Sequence, residues 1–268
     1  MTVLRQPLIN AFRSWFDLNG PLLGPALYLF ECVRSYIEER LEAFDARFGT
    51  DTAAPFFGRD QKPATHFYVA TTASLIFEIL DSLAMQPDTF AFIDMGSGKG
   101  RALLVASEFA FAKIVGIELS PHLHRIAAEN IKRYSPASQQ CTAFQLHCMN
   151  VADYVYGPEP PVLFLFDPFG RETFRRVVAN LEASLSAKPR EALVVYIYPR
   201  FEDLLQSSRV LRKVKEGGPA RRAWSRYVVY AASASGGGER RQRTLSGVDA
   251  AREQGRCIAG EQRALGSR

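Results

Sequence analysis

The stretch "FIDMGSGKGRALLVAS", from Phe92 to Ser107, places three glycines at alternate positions behind a short apolar run. This pattern predicts a strand that turns sharply into a helix and leaves the backbone of the turn open to a ligand. A phosphate-binding P-loop does not fit, because Ile93 replaces the first glycine of GxxxxGK[ST] and Gly100 replaces its hydroxyl residue. The dinucleotide fingerprint GxGxxG does not fit either, because Gly100 comes one place too early.

Carboxylates stand around this glycine loop, which we define as Gly96–Gly100. Asp94 ends the first predicted strand, where doubly wound sheets bind ligands, and its charge suits an ammonium group and would repel a pyrophosphate. Glu118 ends the next predicted strand, 22 residues after Gly96, where a carboxylate can accept hydrogen bonds from both hydroxyls of a ribose. A further strand ends in "LFDPFG", Leu165–Gly170, with an acid, a proline and an aromatic residue. A ligand with an amino-acid end, a ribose and no phosphate fits these positions, and S-adenosylmethionine is such a ligand.

From Phe90 onward, short strands rich in branched and aromatic residues alternate with helical segments. The strand candidates are "FAFID", "IVGIE", "AFQLHC", "VLFLFD" and "ALVVYIY". Alternation of this kind builds a parallel sheet covered by helices on both faces. The last two candidates, "RVLRKVKE" and "RYVVYAAS", are joined by a segment too short for a crossover helix, so they should pair antiparallel. The sequence therefore predicts an α/β fold with a doubly wound, mostly parallel sheet.

Residues from about Phe90 to Tyr198 resemble class I S-adenosylmethionine-dependent methyltransferases: "DMGSGKGR" is similar to their first motif, "VGIELSP" to their second and "DPF" to their fourth. More narrowly, "FDARFGTDT", from Phe44 to Thr52, together with "DMGSGKGRALLVASEFAF" and "LFDPF", resembles a group of bacterial methyltransferases of undetermined substrate. "YVATT", Tyr68–Thr72, resembles the YVPT segment of seven-strand protein-lysine methyltransferases, with alanine in place of its proline. The resemblance implies a Rossmann-like seven-strand sheet of order 3-2-1-4-5-7-6 with an antiparallel last strand.

The resemblance also implies cofactor contacts by residues at the ends of the first four strands. Glycines in the loop would let the backbone approach the methionine portion of the cofactor. Asn150 stands where the family usually has an acid that accepts from the adenine amino group, and its carbonyl can still accept. Asp153 is the alternative, or a turn cap. The predicted cofactor-binding residues are Asp94, Gly96, Gly98, Gly100, Glu118, Asn150 and Asp167.

Methyl transfer is an in-line displacement at a sulfonium carbon, so catalysis is mostly alignment of the nucleophile. Asp167 and Phe169 resemble the substrate-facing motif of amine methyltransferases and are the predicted catalytic residues. The Asp167 carboxylate could hold an amine and help to deprotonate a lysine-like group, whose ordinary pKa is about 10.4. The alternative is that Pro168 ends the strand and Phe169 is buried in the core. We interpret Lys99 and Arg101 as residues that solvate the start of the following helix.

The rest of the chain divides into a helical extension and a tail. Apolar residues at steps of three and four from Phe30 to Phe48, followed by Gly49, predict an amphipathic helix that packs on the main domain. We predict an N-terminal helical cap over residues 1–65, a methyltransferase domain over 66–232 and a disordered basic tail over 233–268. The tail carries seven arginines against four acidic residues, so it supplies most of the net charge of +5.

Composition limits the other functional classes. The four cysteines form no CxxC pair, which indicates neither a metal site nor a disulfide framework and suggests reduced thiols in a cytoplasmic protein. The longest apolar run, Pro21–Phe30, is ten residues, too short to span a membrane. The weakly charged body favours a protein or small-molecule amine substrate over a nucleic acid. Two other functions stay open: a non-catalytic S-adenosylmethionine-binding or scaffold protein, and an NAD-dependent oxidoreductase on a similar sheet.

Overall fold

A computed structural model describes residues 37, 43–54, 70–166, 169–218 and 225–234. The predicted domain boundary after residue 65 lies outside these residues, as does almost all of the predicted tail. Asp167 lies outside them too, so the sequence prediction made for its side chain stays a prediction. The first two residues of "YVATT", at positions 68 and 69, also lie outside the described residues.

Seven strands form a single mixed sheet of order β3-β2-β1-β4-β5-β7-β6, as predicted. All neighbours pair parallel except β7, which is antiparallel to both β5 and β6. The strands are β1 Ala91–Met95, β2 Lys113–Glu118, β3 Phe144–Cys148, β4 Pro161–Phe166, β5 Ala192–Ile197, β6 Arg212–Gly217 and β7 Tyr227–Ala232.

The central strands are buried on both faces, because helices cover the sheet on each side. Successive strand residues point to opposite faces, so Phe92 joins one apolar cluster and Ile93 the other. The helices are α1 Phe44–Phe48, α2 Ala73–Asp81, α3 Arg101–Ala106, α4 Pro121–Arg133, α5 Arg171–Ala187 and α6 Glu202–Gln206, with short 3-10 helices at Pro87–Thr89 and Val151–Asp153. The edge strand β6 carries the charged sequence "RKVKEG", which discourages pairing with another sheet.

The predicted amphipathic helix is not continuous at its carboxyl end. Ala43 has a φ of 50°, in the left-handed region, so the helix that contains Phe48 begins only at Phe44. The prediction of one unbroken helix through Ala43 is therefore wrong, since hydrophobic spacing does not report backbone dihedrals. Gly49 ends the helix with a φ of 66°, as predicted. The rest of the predicted helix lies outside the described residues, apart from Ile37.

Over the described ranges, no helix is long and apolar enough to cross a membrane. Cys141 is buried and Cys148 is exposed, and both are free thiols. Within the same ranges, no group of histidine, cysteine and acidic side chains could hold a metal ion.

Candidate active site

The glycine loop has a backbone that only glycine adopts readily. Gly96, Gly98 and Gly100 have φ values of 92°, 52° and 88°. The amides of Gly96 and Ser97 both donate to the carbonyl of Ile117, at 2.9 and 3.0 Å, which fixes the start of the loop against β2. Alternate glycines are therefore required by the shape of the turn itself.

Glu118 joins the loop to the carboxyl end of β2. Its Oε2 accepts from the Gly98 amide at 2.9 Å, and its Oε1 accepts from the Ser120 amide at 2.7 Å. Burial raises the pKa of Glu118, although the hydrogen bonds from Ser120 and Gly98 oppose the rise. The carboxylate is thus held in one orientation beside the loop, before any ligand binds.

Asp94 is a buried acid near the carboxyl end of β1, separated from the glycine loop by Met95. Burial and the nearby charge of Glu118 raise its pKa from 3.8 to about 8. The part of the chain that the structure describes forms no hydrogen bond with this carboxyl group. Asp94 is therefore mostly protonated at neutral pH, and a cation placed beside it would convert it to the carboxylate.

Lys99 and Arg101 are not solvated, so our interpretation of them from the sequence was wrong. They are only 3% and 4% exposed. The Lys99 ammonium donates to Asp51 at 2.7 Å, and the Arg101 Nε donates to the Thr52 hydroxyl at 2.7 Å. Both cations thus bind residues of a segment that precedes α2 in the chain.

The sequence matches the family described as "Histone methylation protein DOT1" over residues 60–153, which include the glycine loop and both acids. The strand order, the glycine loop and the two acids agree with this match. This match, over about a third of the chain, and the seven-strand sheet support an S-adenosylmethionine-dependent methyltransferase. Its cofactor is S-adenosylmethionine, and the loop and acids are residues that fit the phosphate-free ligand expected from the sequence.

Several solved methyltransferase structures resemble this methyltransferase at low identity. The protein yhhF of Escherichia coli, named as a methyltransferase, is 16% identical with a TM-score of 0.46, over 62% of this chain and 89% of that one. An rRNA methylase of Streptococcus thermophilus is 11% identical, with a TM-score of 0.39, over 60% and 92%. A SAM-dependent O-methyltransferase of Thermotoga maritima is 13% identical, with a TM-score of 0.43, over 64% and 68%. Likeness at this level does not identify a substrate. A search of curated proteins gives no match.

Both residues that the sequence offers for adenine binding have partners within the protein. The Asn150 side-chain oxygen accepts from the Ala152 amide at 2.9 Å and caps the short 3-10 helix after β3. Asp153 is exposed and accepts from Arg176 at 2.9 Å. A carbonyl oxygen has two lone pairs, so Asn150 can still accept a second hydrogen bond. The assignment of Asn150 to adenine stays a prediction.

Leu119 is a residue that the sequence reasoning missed. It lies between Glu118 and Ser120 at the carboxyl end of β2, and its side chain is 47% exposed. An exposed apolar side chain there offers a surface for the flat face of a base. The signal was present in "VGIELSP", where a leucine directly follows the acid.

At the carboxyl end of β4, the structure describes only part of the "DPF" motif. Phe169 is 9% exposed and belongs to the same apolar cluster as Phe174, 6.2 Å away between ring centroids. The Phe169 ring is therefore part of the apolar core beside α5. A direct contact of Phe169 with the substrate stays a prediction, as does the role of Asp167.

Proposed function

We propose that this methyltransferase transfers the methyl group of S-adenosylmethionine to an amine nitrogen, with a lysine side chain of a protein as the acceptor. The match of residues 60–153 to a family named for histone methylation carries the choice of a protein acceptor. The acid in "DPF" supports an amine, since a carboxylate can accept hydrogen bonds from an ammonium group.

The proposed cofactor contacts follow the carboxyl edge of the sheet. Asp94 would face the cofactor ammonium and be ionised by it, while Glu118 would accept from the ribose hydroxyls. The glycine loop would pass close to the methionine portion through Gly96 and Gly98, which have no side chain in the way. At Gly100 an added Cβ would instead meet the Ala127 side chain at 3.2 Å. Leu119 would lie against the adenine ring, and Asn150 would accept from its amino group. When bound, the cofactor supplies an electrophilic methyl group on a sulfonium.

Asp167 is the residue that we propose handles the acceptor. At neutral pH a lysine carries the proton that its nitrogen must lose before it can attack a methyl group. A carboxylate at the end of β4 would orient the ammonium by its N–H groups and take part in removing that proton, which then passes to solvent. Phe169 would help to position this carboxylate indirectly, because its ring is buried in the core only two residues away in the chain.

Calorimetric titration with S-adenosylmethionine, followed by transfer of a labelled methyl group into fractionated cell lysate, tests the proposal. We expect label in the protein fraction, and methyl-lysine after acid hydrolysis. Asp167→Asn should reduce transfer by about 100-fold or more. Glu172→Gln is the matched control, because Glu172 pairs only with Arg175 on an exposed turn of α5 among the described residues; it should stay within twofold. Label in nucleic acid or in small molecules alone would contradict the proposed acceptor.

A further inference from the structure

The segment Ala43–Ala54, which we call the anchor segment, is folded around one carboxylate. Asp45 Oδ1 accepts from the hydroxyls of Thr50 and Thr52, at 2.7 and 2.6 Å. Asp45 Oδ2 accepts from the amides of Thr52 and Ala53, at 2.8 and 2.7 Å. These four hydrogen bonds make the end of the segment a defined structure that can position other groups.

The first attachment of the anchor segment is to the middle of the glycine loop. Asp51 receives the Lys99 ammonium at 2.7 Å. The Asn130 side chain, 1% exposed, exchanges hydrogen bonds of 2.8 Å with the Asp51 backbone in both directions. The same amide group donates to the Lys99 carbonyl at 2.9 Å. Lys99 is therefore held through both its side chain and its backbone.

The second attachment is one residue beyond the loop. Arg101 donates to the Thr52 hydroxyl, lies 3.6 Å from Asp45 between charged atoms, and stacks over the Phe44 ring at 5.1 Å. Lys99 and Arg101 stand on either side of Gly100. The anchor segment therefore holds the chain within the loop, at Lys99, and directly after it, at Arg101. Glu118 holds the same loop from β2, through the Gly98 amide.

Buried cations make this arrangement cooperative. A lysine or arginine removed from water is strongly unfavourable unless it is paired and hydrogen-bonded. If the anchor segment left its place, Lys99 and Arg101 would have to turn toward water and would carry the backbone around Gly100 with them. The loop conformation that Glu118 supports therefore depends on the anchor segment.

Charge gives a second reason for the coupling. S-adenosylmethionine has a sulfonium and an ammonium group against one carboxylate, so it approaches the loop as a cation. Two unneutralised cations beside Gly100 would repel it. Asp51 neutralises Lys99 at 2.7 Å, and Asp45 neutralises Arg101 at 3.6 Å.

We infer that Asp45, Asp51 and Thr52 are positioning residues for cofactor binding, and that docking of the anchor segment and binding of S-adenosylmethionine strengthen each other. This inference rests on the assignment of the glycine loop as the cofactor site. Such coupling is reciprocal: a docked segment raises cofactor affinity, and bound cofactor stabilises the docked segment by the same factor.

Calorimetry on two variants tests the first half of this coupling. Asp51→Asn removes the charge that pairs with Lys99 at nearly constant shape, and we expect the Kd for S-adenosylmethionine to rise about tenfold or more. Asp51→Glu keeps the carboxylate and should recover most of the affinity. Glu129→Gln is the matched control, because Glu129 forms an exposed ion pair with Lys132 beside Asn130 on the same helix. The control should bind within twofold of the unmodified chain.

Amide hydrogen exchange on the unmodified chain tests the second half, without any variant. Saturating S-adenosylmethionine should slow exchange of the Thr52 and Ala53 amides at least fivefold, and should leave β6, at the far edge of the sheet, within twofold. Unchanged exchange at Thr52 and Ala53, or a folded Asp51→Asn chain that binds within twofold of the unmodified one, overturns the inference. If the unmodified chain binds no S-adenosylmethionine, the cofactor site itself is refuted. This result can be told apart from a failure of the coupling, because in that case the unmodified chain still binds the cofactor.

Discussion

The charge of Glu118 opposes ionisation of Asp94 at the carboxyl ends of two neighbouring strands. In the register of β1 and β2, Asp94 lies opposite Gly116, and Gly116 precedes Glu118 by two residues. Glu118 is held by two backbone amides, whereas Asp94 receives no hydrogen bond from the residues that the structure describes. The two acids are thus unequal: one is already hydrogen-bonded within the protein, and the other favours a cationic ligand.

Asp94 should make the protein less stable as pH rises. Its pKa is about 8 in the folded protein against an ordinary 3.8, so the folded state binds more protons between these values. The free energy of unfolding should therefore fall from about pH 4 to pH 8, by up to about 1.4 kcal/mol per pH unit from this group. Asp94→Asn should flatten this slope in urea unfolding at pH 5, 6, 7 and 8. Asp88→Asn, an exposed substitution just before β1, should leave the slope as it is. An unaltered slope in Asp94→Asn would contradict the buried-acid description.

Cofactor binding should release a proton through the same residue. At pH 6 to 7 Asp94 is mostly protonated, and an ammonium group beside it favours the carboxylate. We expect the affinity for S-adenosylmethionine to increase over this range by up to about tenfold per pH unit. Calorimetry in two buffers of different ionisation enthalpy measures the proton release directly. Asp94→Asn should bind more weakly and release fewer protons, and equal release by both chains would show that Asp94 does not meet the ammonium group.

Gly116, in the middle of β2, should not tolerate substitution even by alanine. A Cβ there would lie 2.6 Å from Leu103 Cδ1, 2.9 Å from Leu146 Cδ2 and 3.1 Å from the Ser97 hydroxyl oxygen. Gly116→Ala should therefore lower the free energy of unfolding by about 1 to 3 kcal/mol and weaken cofactor binding, because Ser97 belongs to the glycine loop. Gly170→Ala has open space around the added carbon and should stay within about 0.5 kcal/mol. Equal urea midpoints for the two variants would contradict this account of the packing.

The strands of the sheet could be predicted because each one is recognised from a short stretch of sequence. The central strands are short apolar runs that alternate with helices, and the order of the strands followed from the resemblance to a known family. The break at Ala43 could not be predicted, since alanine is a good helix former and nothing next to it marks a left-handed residue. Beside the break, the Phe44 ring stacks on Tyr134 of a distant helix end, with 5.7 Å between ring centroids, a contact that no local pattern shows.

The candidate site, too, contains residues that the sequence predicts and contacts that it does not. Asp94, Glu118 and the glycines follow from one motif and one spacing, because they lie at the ends of adjacent strands. The partners of Lys99 and Arg101 lie 48 and 49 residues earlier in the chain, so no local pattern connects them. A charged residue inside a glycine loop is solvated in most settings, and only the fold shows that these two are buried.

We predict that Tyr198 contributes to methyl transfer although its backbone conformation lowers the stability of the folded protein. It directly follows β5, at the edge of the sheet where Asp94 and Glu118 lie, and its φ of 50° is rare for a tyrosine. The turn is fixed by the Tyr198 amide, which donates to the Arg226 carbonyl at 2.8 Å, and by the Arg200 amide, which donates back to the Tyr198 carbonyl at 2.9 Å. A left-handed residue of this kind costs about 1 to 3 kcal/mol, and asparagine tolerates the conformation better.

Tyr198→Asn should therefore unfold with a free energy within about 0.5 kcal/mol of the unmodified chain, since relief of strain offsets the lost ring contacts. Methyl transfer into the protein fraction should fall about tenfold or more, with the Kd for S-adenosylmethionine unchanged, if the ring lines the acceptor side of the site. Tyr196→Ala, two residues earlier and 1% exposed, should instead cost about 3 to 5 kcal/mol, which shows that the unfolding measurement senses the loss of a packed ring. A comparable loss of stability in Tyr198→Asn would mean that the strained ring serves packing, and unaltered methyl transfer would place the acceptor elsewhere along the edge of the sheet.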